Sequence, residues 1–77
     1  MSASDRIITV LKQAKNPLYL WQIQELILVR WGERHETTAI SARIRDQVRS
    51  RLELSGFTVA NRAPEGKSAH VYWLARV

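Results

Sequence analysis

Six arginines and no lysines fall between Arg30 and Arg51, in company with only three carboxylates. Arginine presents a planar fork of five donors that matches a phosphate or a guanine edge, whereas lysine offers a compact point charge. The chemistry open to this stretch is therefore the binding of a polyanion. Thr38 adds a hydroxyl donor, Ser41 a second one, and Ala39 and Ala42 are small enough to let another surface approach closely. Arg43 could present its fork to a base edge or a backbone, while Arg45 and Arg49 better suit phosphate contacts. Asp46 sits among them; it could accept from a cytosine amine or hold a neighbouring arginine in a fixed pose.

Catalytic and metal chemistry find little here. His35 and His70 stand thirty-five residues apart and no cysteine accompanies them, so no ligand set has a metal-binding spacing. Ser41 and Ser55 lack a partnered general base, and the glycines at 32, 56 and 66 do not form a phosphate-cradling loop. The expectation is a binding protein, not an enzyme, with no small-molecule cofactor.

The chain must position those side chains with 77 residues, enough for one small domain over 1–77. Its apolar share of 45% argues for a packed core. The formal charge of +5 favours a polyanionic partner. Without a secretion signal or a run of eighteen apolar residues, the expected location is cytoplasmic, nucleoid-associated when bound to DNA, with no membrane contact.

Hydrophobic spacing predicts a first helix over about 5–15, with Ile7, Ile8, Leu11 and Ala14 on one side, Ser4 or Asp5 as cap, and Asn16-Pro17 as its end. Leu18 to Leu20 reads as a short strand feeding a second helix over about 21–30, whose apolar face holds Ile23, Leu26 and Ile27. Trp21 and Trp73 read as core or core-edge, and Trp31 as available to a partner. Gly32 to Thr37 reads as an exposed connection. A third helix over about 38–54 is the strongest signal: Thr37 or Thr38 caps it, and Ile40, Ile44, Val48 and Leu52 recur every four residues. Its opposite side carries Ala39, Ala42, Arg43, Asp46, Arg49 and Glu53, flanked by Thr38 and Arg45. Past Gly56 the period drops to two, giving a hairpin over about 57–75 with Arg62 and Lys67 flanking its tip. Phe57, Val59, Val71 and Trp73 are one choice of docking side, with Tyr72 and Leu74 competing for it.

The order is helix, short strand, helix, helix, hairpin: an α+β chain. The run Thr37-Thr38-Ala39-Ile40-Ser41-Ala42-Arg43-Ile44-Arg45-Asp46, then Gly56-Phe57-Thr58-Val59 and His70-Val71-Tyr72-Trp73-Leu74, resembles small winged helix-turn-helix proteins of bacteriophages and prophages. The resemblance covers about Leu20 to Leu74. It implies three helices with a C-terminal two-stranded hairpin wing, and a double-stranded DNA-binding regulator with Thr38, Ser41, Ala42, Arg43 and Arg45 on or beside the recognition helix. Two features depart from that pattern. Gln47 stands where a leucine is common, and Arg30 to Glu36 lengthens the link between the second and third helices. Arg62 and Lys67 would make a basic wing, Lys67 on the backbone and Arg62 there or against the helices. A homodimer on a pseudo-palindromic site follows as an expectation from the small contact area of one such unit. The rival reading is a protein-binding or architectural winged-helix module that docks through an exposed apolar patch at Leu28, Val29 and Trp31.

Overall fold

The computed structural model describes all residues, 1–77. Helix α1 spans Ala3–Gln13, strand β1 Leu18–Tyr19, and helix α2 Leu20–Trp31. Thr37–Arg43 and Arg49–Glu53 are α-helical and flank a π-helical turn at Ile44–Val48; the three run on without a break and together form α3. Strands β2, Phe57–Arg62, and β3, Val71–Arg76, complete an antiparallel sheet in the order β1-β3-β2. The result is three helices against a three-stranded sheet, compatible with the winged architecture expected from the sequence. The hairpin is not two-stranded on its own: Leu18 pairs with Tyr72 and Tyr19 with Val71, so β1 gives β3 a second neighbour. No helix is long and apolar enough to cross a membrane.

The ends of α1 differ from the sequence reading. Neither Ser4 nor Asp5 is the cap. Ser2 is, its hydroxyl accepting from the Asp5 N–H at 3.2 Å while the Asp5 carboxylate accepts from the Ser2 N–H at 3.1 Å. This reciprocal box satisfies donors that the first turn leaves orphaned. Ser4 is instead buried inside the helix. The helix stops at Gln13, two residues before Lys15, because Ala14 is already extended ahead of Asn16-Pro17.

On α2 the core takes Ile23 and Ile27, with Leu20 and Trp31 packed at its edge. Spacings of three, four and four from Leu20 define that face. Leu26 lies off it and is exposed, and Trp21 is 56% exposed, correcting its expected place in the core. Since Leu20 already fills the inward position, Trp21 points outward and stacks on Tyr19, ring centroids 6.3 Å apart. Gly32 closes the helix at φ 70, a left-handed conformation that favours glycine.

The four-residue stripe of α3 is buried throughout: Ile40, Ile44, Val48 and Leu52 are each at most 3% exposed. A straight α-helix turns about 100° per residue, so four-residue steps overshoot a full turn by about 40° each, about 120° over the three steps. The π turn removes most of that drift. The Arg49 N–H reaches the Ile44 carbonyl, five residues back, which locally unwinds the helix and keeps Val48 and Leu52 on the core side. Neither threonine is the N-cap; Glu36 holds that position, without a side-chain cap bond.

In the sheet, Phe57 pairs with Arg76, Val59 with Leu74 and Asn61 with Tyr72. Directly opposed residues share a face, so the face holding Val59 takes Tyr72 and Leu74 from β3, and Leu18 from β1. All of these, with Phe57, pack on the core. Odd positions of β2 thus share a face with even positions of β3, a parity set by the eight residues between the strands. Trp73 lies opposite Ala60 on the other face; Val71 is also on that face, yet buried.

Ile40→Ala should cost about 2–5 kcal/mol by urea unfolding, through lost burial and a residual cavity, whereas Leu54→Ala, 94% exposed, should stay within about 0.5 kcal/mol. A pH dependence follows from the α1 cap. The Ser2 hydroxyl and N–H, and then the Arg51 guanidinium, hold the Asp5 carboxyl below its ordinary value. A folded-state pKa below the unfolded one stabilises fully above about pH 4 and is lost as pH falls through the folded value. Asp5→Asn should therefore flatten the decline of unfolding free energy below about pH 4, measured by urea titration across that range.

Candidate functional site

The outward side of α3 gathers most of the residues singled out in the sequence. Ala42 is the centre. One shallow hollow beside it is bounded by Thr37, Thr38, Ser41 and Arg45, with Leu20 at the amino end of α2; another is bounded by Ala39, Arg43, Asp46 and Gln47. Ala42 borders both and Ala39 the second, where a longer side chain would fill the space. Thr38 and Ala39 are exposed and Ser41, Ala42 and Arg43 half-buried. The helix surface here is thus small in the middle and basic at its borders.

Asp46 is engaged with Arg45. Nε donates to Oδ1 at 3.0 Å, with a longer contact of 3.5 Å from Nη2 to Oδ2. The carboxylate raises the Arg45 pKa above its ordinary value, through that hydrogen bond first and its charge second. Both side chains are well exposed, so the pair adds little stability. Its effect is to orient the guanidinium and offset the one carboxylate that borders the two hollows.

Arg43 is held differently. Its Nη1 donates to Gln47 Oε1 at 3.2 Å, and the same oxygen accepts from the buried Ser4 hydroxyl at 2.6 Å. Gln47 thus fastens α1 to the π turn and steadies Arg43 from behind, leaving the other guanidinium donors of Arg43 uncommitted. Further along, Arg51 pairs with Asp5 and donates to the Ser2 hydroxyl at 3.2 Å, continuing a polar seam between α1 and α3.

Arg49 does not join the outward group. The sequence placed it opposite the core stripe on a regular helical wheel, but the π turn rotates the later part of α3. Arg49 is half-buried, and its Nε is enclosed without a hydrogen-bond partner. On the hairpin, Arg62 and Lys67 are exposed and make no ion pair. Arg62 closes β2, and its expected alternative tie to the helices is absent. Lys67 follows a tight turn in which its N–H donates to the Pro64 carbonyl at 2.9 Å. His70 Nδ1 meets Asn61 Oδ1 at 2.9 Å across the base of this loop. Neither Arg62 nor Lys67 borders the hollows around Ala42.

The link between α2 and α3 is tied down more than its polar sequence implied. Arg6 pairs with Glu33, His35 Nε2 approaches the same carboxylate oxygen at 3.3 Å, and Gln24 Nε2 donates to the His35 carbonyl at 2.8 Å. Arg6, and secondarily His35, lower the Glu33 pKa. Trp31 is half-buried beneath two guanidinium groups, Arg30 at 5.2 Å and Arg6 at 5.6 Å from its ring centroid. It is therefore less available to a partner than expected.

A hollow of about 510 Å³ lies away from α3, lined by Leu11, Pro17, Phe57, Trp73 and Leu74 with Lys12 and Lys15. None of the enclosed polar atoms without a hydrogen bond, on Arg6, His35 and Arg49, belongs to its lining. Comparison of the chain with family models, curated proteins and solved structures gives no match. The arrangement of side chains carries the functional reading alone.

Ser4 and Gln47 are the contributors that sequence reasoning missed; the signal was present in Gln47 as a polar residue where the resembled pattern has leucine. Gln47→Leu should strand the Ser4 hydroxyl in the core and cost about 1–3 kcal/mol. Ser4→Ala together with Gln47→Leu should recover most of that loss in urea denaturation. Simple addition of the two single costs would contradict the coupling.

Proposed function

We propose that this chain binds double-stranded DNA as a winged helix-turn-helix module, with α3 in the major groove and the β2–β3 hairpin on the backbone or in the minor groove. The observation that carries the reading is the outward side of α3. A helix entering the groove needs small side chains at its centre and long donors at its borders. Ala39 and Ala42, with the short hydroxyl side chains of Thr38 and Ser41, meet the first need, Arg43 and Arg45 the second. Arg43 is suited to a guanine edge, being held by Gln47 and otherwise free. Arg45 is suited to a phosphate, with Asp46 setting its orientation.

Further support comes from Leu20, the first residue of α2, which borders the same hollow as Thr38; the first turn of a helix has N–H groups without an intrahelical partner, and its dipole favours a phosphate. Arg62 and Lys67 give the hairpin two unpaired cations for the flanking backbone. No bond is made or broken in this reading: the protein acts by occupying a site, as a small transcriptional regulator. The phage or prophage part of the proposal rests on the sequence resemblance alone. The competing idea of a protein-binding module gains support from apolar residues on α2, but these lie on a different element from the α3 face, and one protein can use both.

Duplex affinity, followed by fluorescence anisotropy, should fall steeply with salt as counterions are released. Arg43→Ala with Arg45→Ala should weaken binding by about tenfold or more and make the salt dependence shallower, whereas Lys15→Ala should change it less than about twofold. Affinity unchanged in the double variant would overturn the assignment of α3.

A further inference from the structure

Strand β3 is paired along its whole length on one side and along only two residues on the other. The Val77 N–H donates to the Gly56 carbonyl at 3.0 Å, just beyond the Phe57–Arg76 pair. Bonded and non-bonded pairs alternate along an antiparallel ladder. Val71, Trp73 and Ala75 therefore give their backbone groups to β2, while Tyr72, Leu74 and Arg76 turn theirs the opposite way. Tyr72 meets Leu18 there. Strand β1 begins at Leu18, and Lys15, Asn16 and Pro17 before it belong to no strand, so nothing in the sheet stands opposite Leu74 or Arg76. No turn, loop or side-chain hydrogen bond takes up the N–H or C=O of either residue. The hollow of about 510 Å³ borders this open edge: Trp73 and Leu74 line it together with Phe57 of β2, Leu11 and Lys12 of α1, and Lys15 of the link to β1.

We infer that this edge accepts an extended, acidic peptide segment of another protein, which adds to β3 as a short strand in line with β1. Leu74 and Arg76 each offer one backbone donor and one acceptor to such a strand. The stretch from Trp73 to Arg76 is about 13 Å long at the usual rise of a strand, enough to pair about four peptide residues. In this mode of recognition the main chain supplies attachment and the side-chain hollows choose the sequence. An apolar side chain of the peptide fills the space over Leu11, Phe57 and Leu74, and its carboxylates meet Lys12 and Lys15.

Charge selects the occupant. The lining of the hollow holds two lysines and no carboxylate, and neither lysine has an ion-pair partner. A second copy of this chain carries a formal charge of +5 and is repelled there, in the way that lysines on a sheet edge ordinarily deter self-pairing. An acidic strand instead meets two uncommitted ammonium groups. A DNA duplex has the charge, but neither a peptide backbone to continue the ladder nor an apolar side chain to fill the hollow. No residue of α3 lines the hollow, so the inference goes beyond the DNA reading and stands or falls separately.

In the free protein, amide hydrogen exchange followed by NMR should be faster at Leu74 and Arg76 than at Trp73 and Ala75. The probe is an acetylated heptapeptide with Val-Phe-Val between paired glutamates, titrated to millimolar concentration. It should shift the amides of Lys12, Lys15 and Trp73 to Arg76 and slow exchange at Leu74. N-methylation of one alternate set of its amides should weaken binding about tenfold, and of the other set leave it nearly unchanged, as a strand bonded along one edge requires. Lys12→Gln with Lys15→Gln should weaken it about fivefold with circular dichroism unchanged, whereas Arg43→Ala with Arg45→Ala should have no effect. A Leu74 amide as protected as that of Trp73 in the free protein, no binding at millimolar peptide, or equal sensitivity to the two methylated sets would overturn the proposal. Equal binding of a peptide with lysine in place of each glutamate, or a short DNA duplex shifting the same amides, would overturn the acidic peptide as occupant.

Discussion

Ile40, Ile44, Val48 and Leu52 are four of the ten residues in the central core, and their spacing of four constrains everything packed around them. A regular α-helix would turn the later members away from the core, so the chain accepts a poorer hydrogen-bond geometry over one π turn. That exchange lets one side of α3 meet α1, α2 and β2 along its length. It also determines which cations stay outward. Arg43 and Arg45, at the beginning of the turn, remain at the outer surface, while Arg49, beyond it, swings toward the body.

Much of this was legible in the residues themselves. The three helices, the hairpin, the buried stripe and the glycine at the end of α2 follow from periodicity and from backbone preferences that act locally. What was hidden depends on tertiary pairing. Trp21 and Leu20 are neighbours with equal claims to the core, and only the packing of α2 shows that the smaller one goes in. The pairing of Leu18 and Tyr19 with β3 involves residues more than fifty positions apart. The π turn left a trace in the strict fourfold spacing, which a straight helix cannot keep on one face. The site was legible to the same degree: Thr38, Ser41, Ala42, Arg43, Arg45 and Asp46 come together because they share one local helix, while Gln47 works through Ser4 on another.

The ion pairs give the positive charge a pattern that composition cannot show. Arg6, Arg34, Arg45 and Arg51 each have a carboxylate, and three of these pairs lie in the link before α3 or in the seam behind it. Those carboxylates tie the protein to itself. The other eight cations remain without one, Arg43, Arg62 and Lys67 among them, so part of the surplus charge is left on α3 and the hairpin. The Ser2, Asp5 and Arg51 contacts meanwhile link the start of α1 to the later part of α3.

The sheet order has a consequence for the time course of making the molecule. β3 lies between β1 and β2 in space but follows both in the chain, and the other two strands never pair with each other. During synthesis, which proceeds at about 5–20 residues per second, β1 and β2 wait with unpaired backbone edges until β3 has left the ribosome. The helices can gather around the α3 stripe earlier. Completion of the sheet is then a late, single event that joins positions far apart in the sequence, and it leaves the newly made chain briefly exposed to pairing with another strand edge.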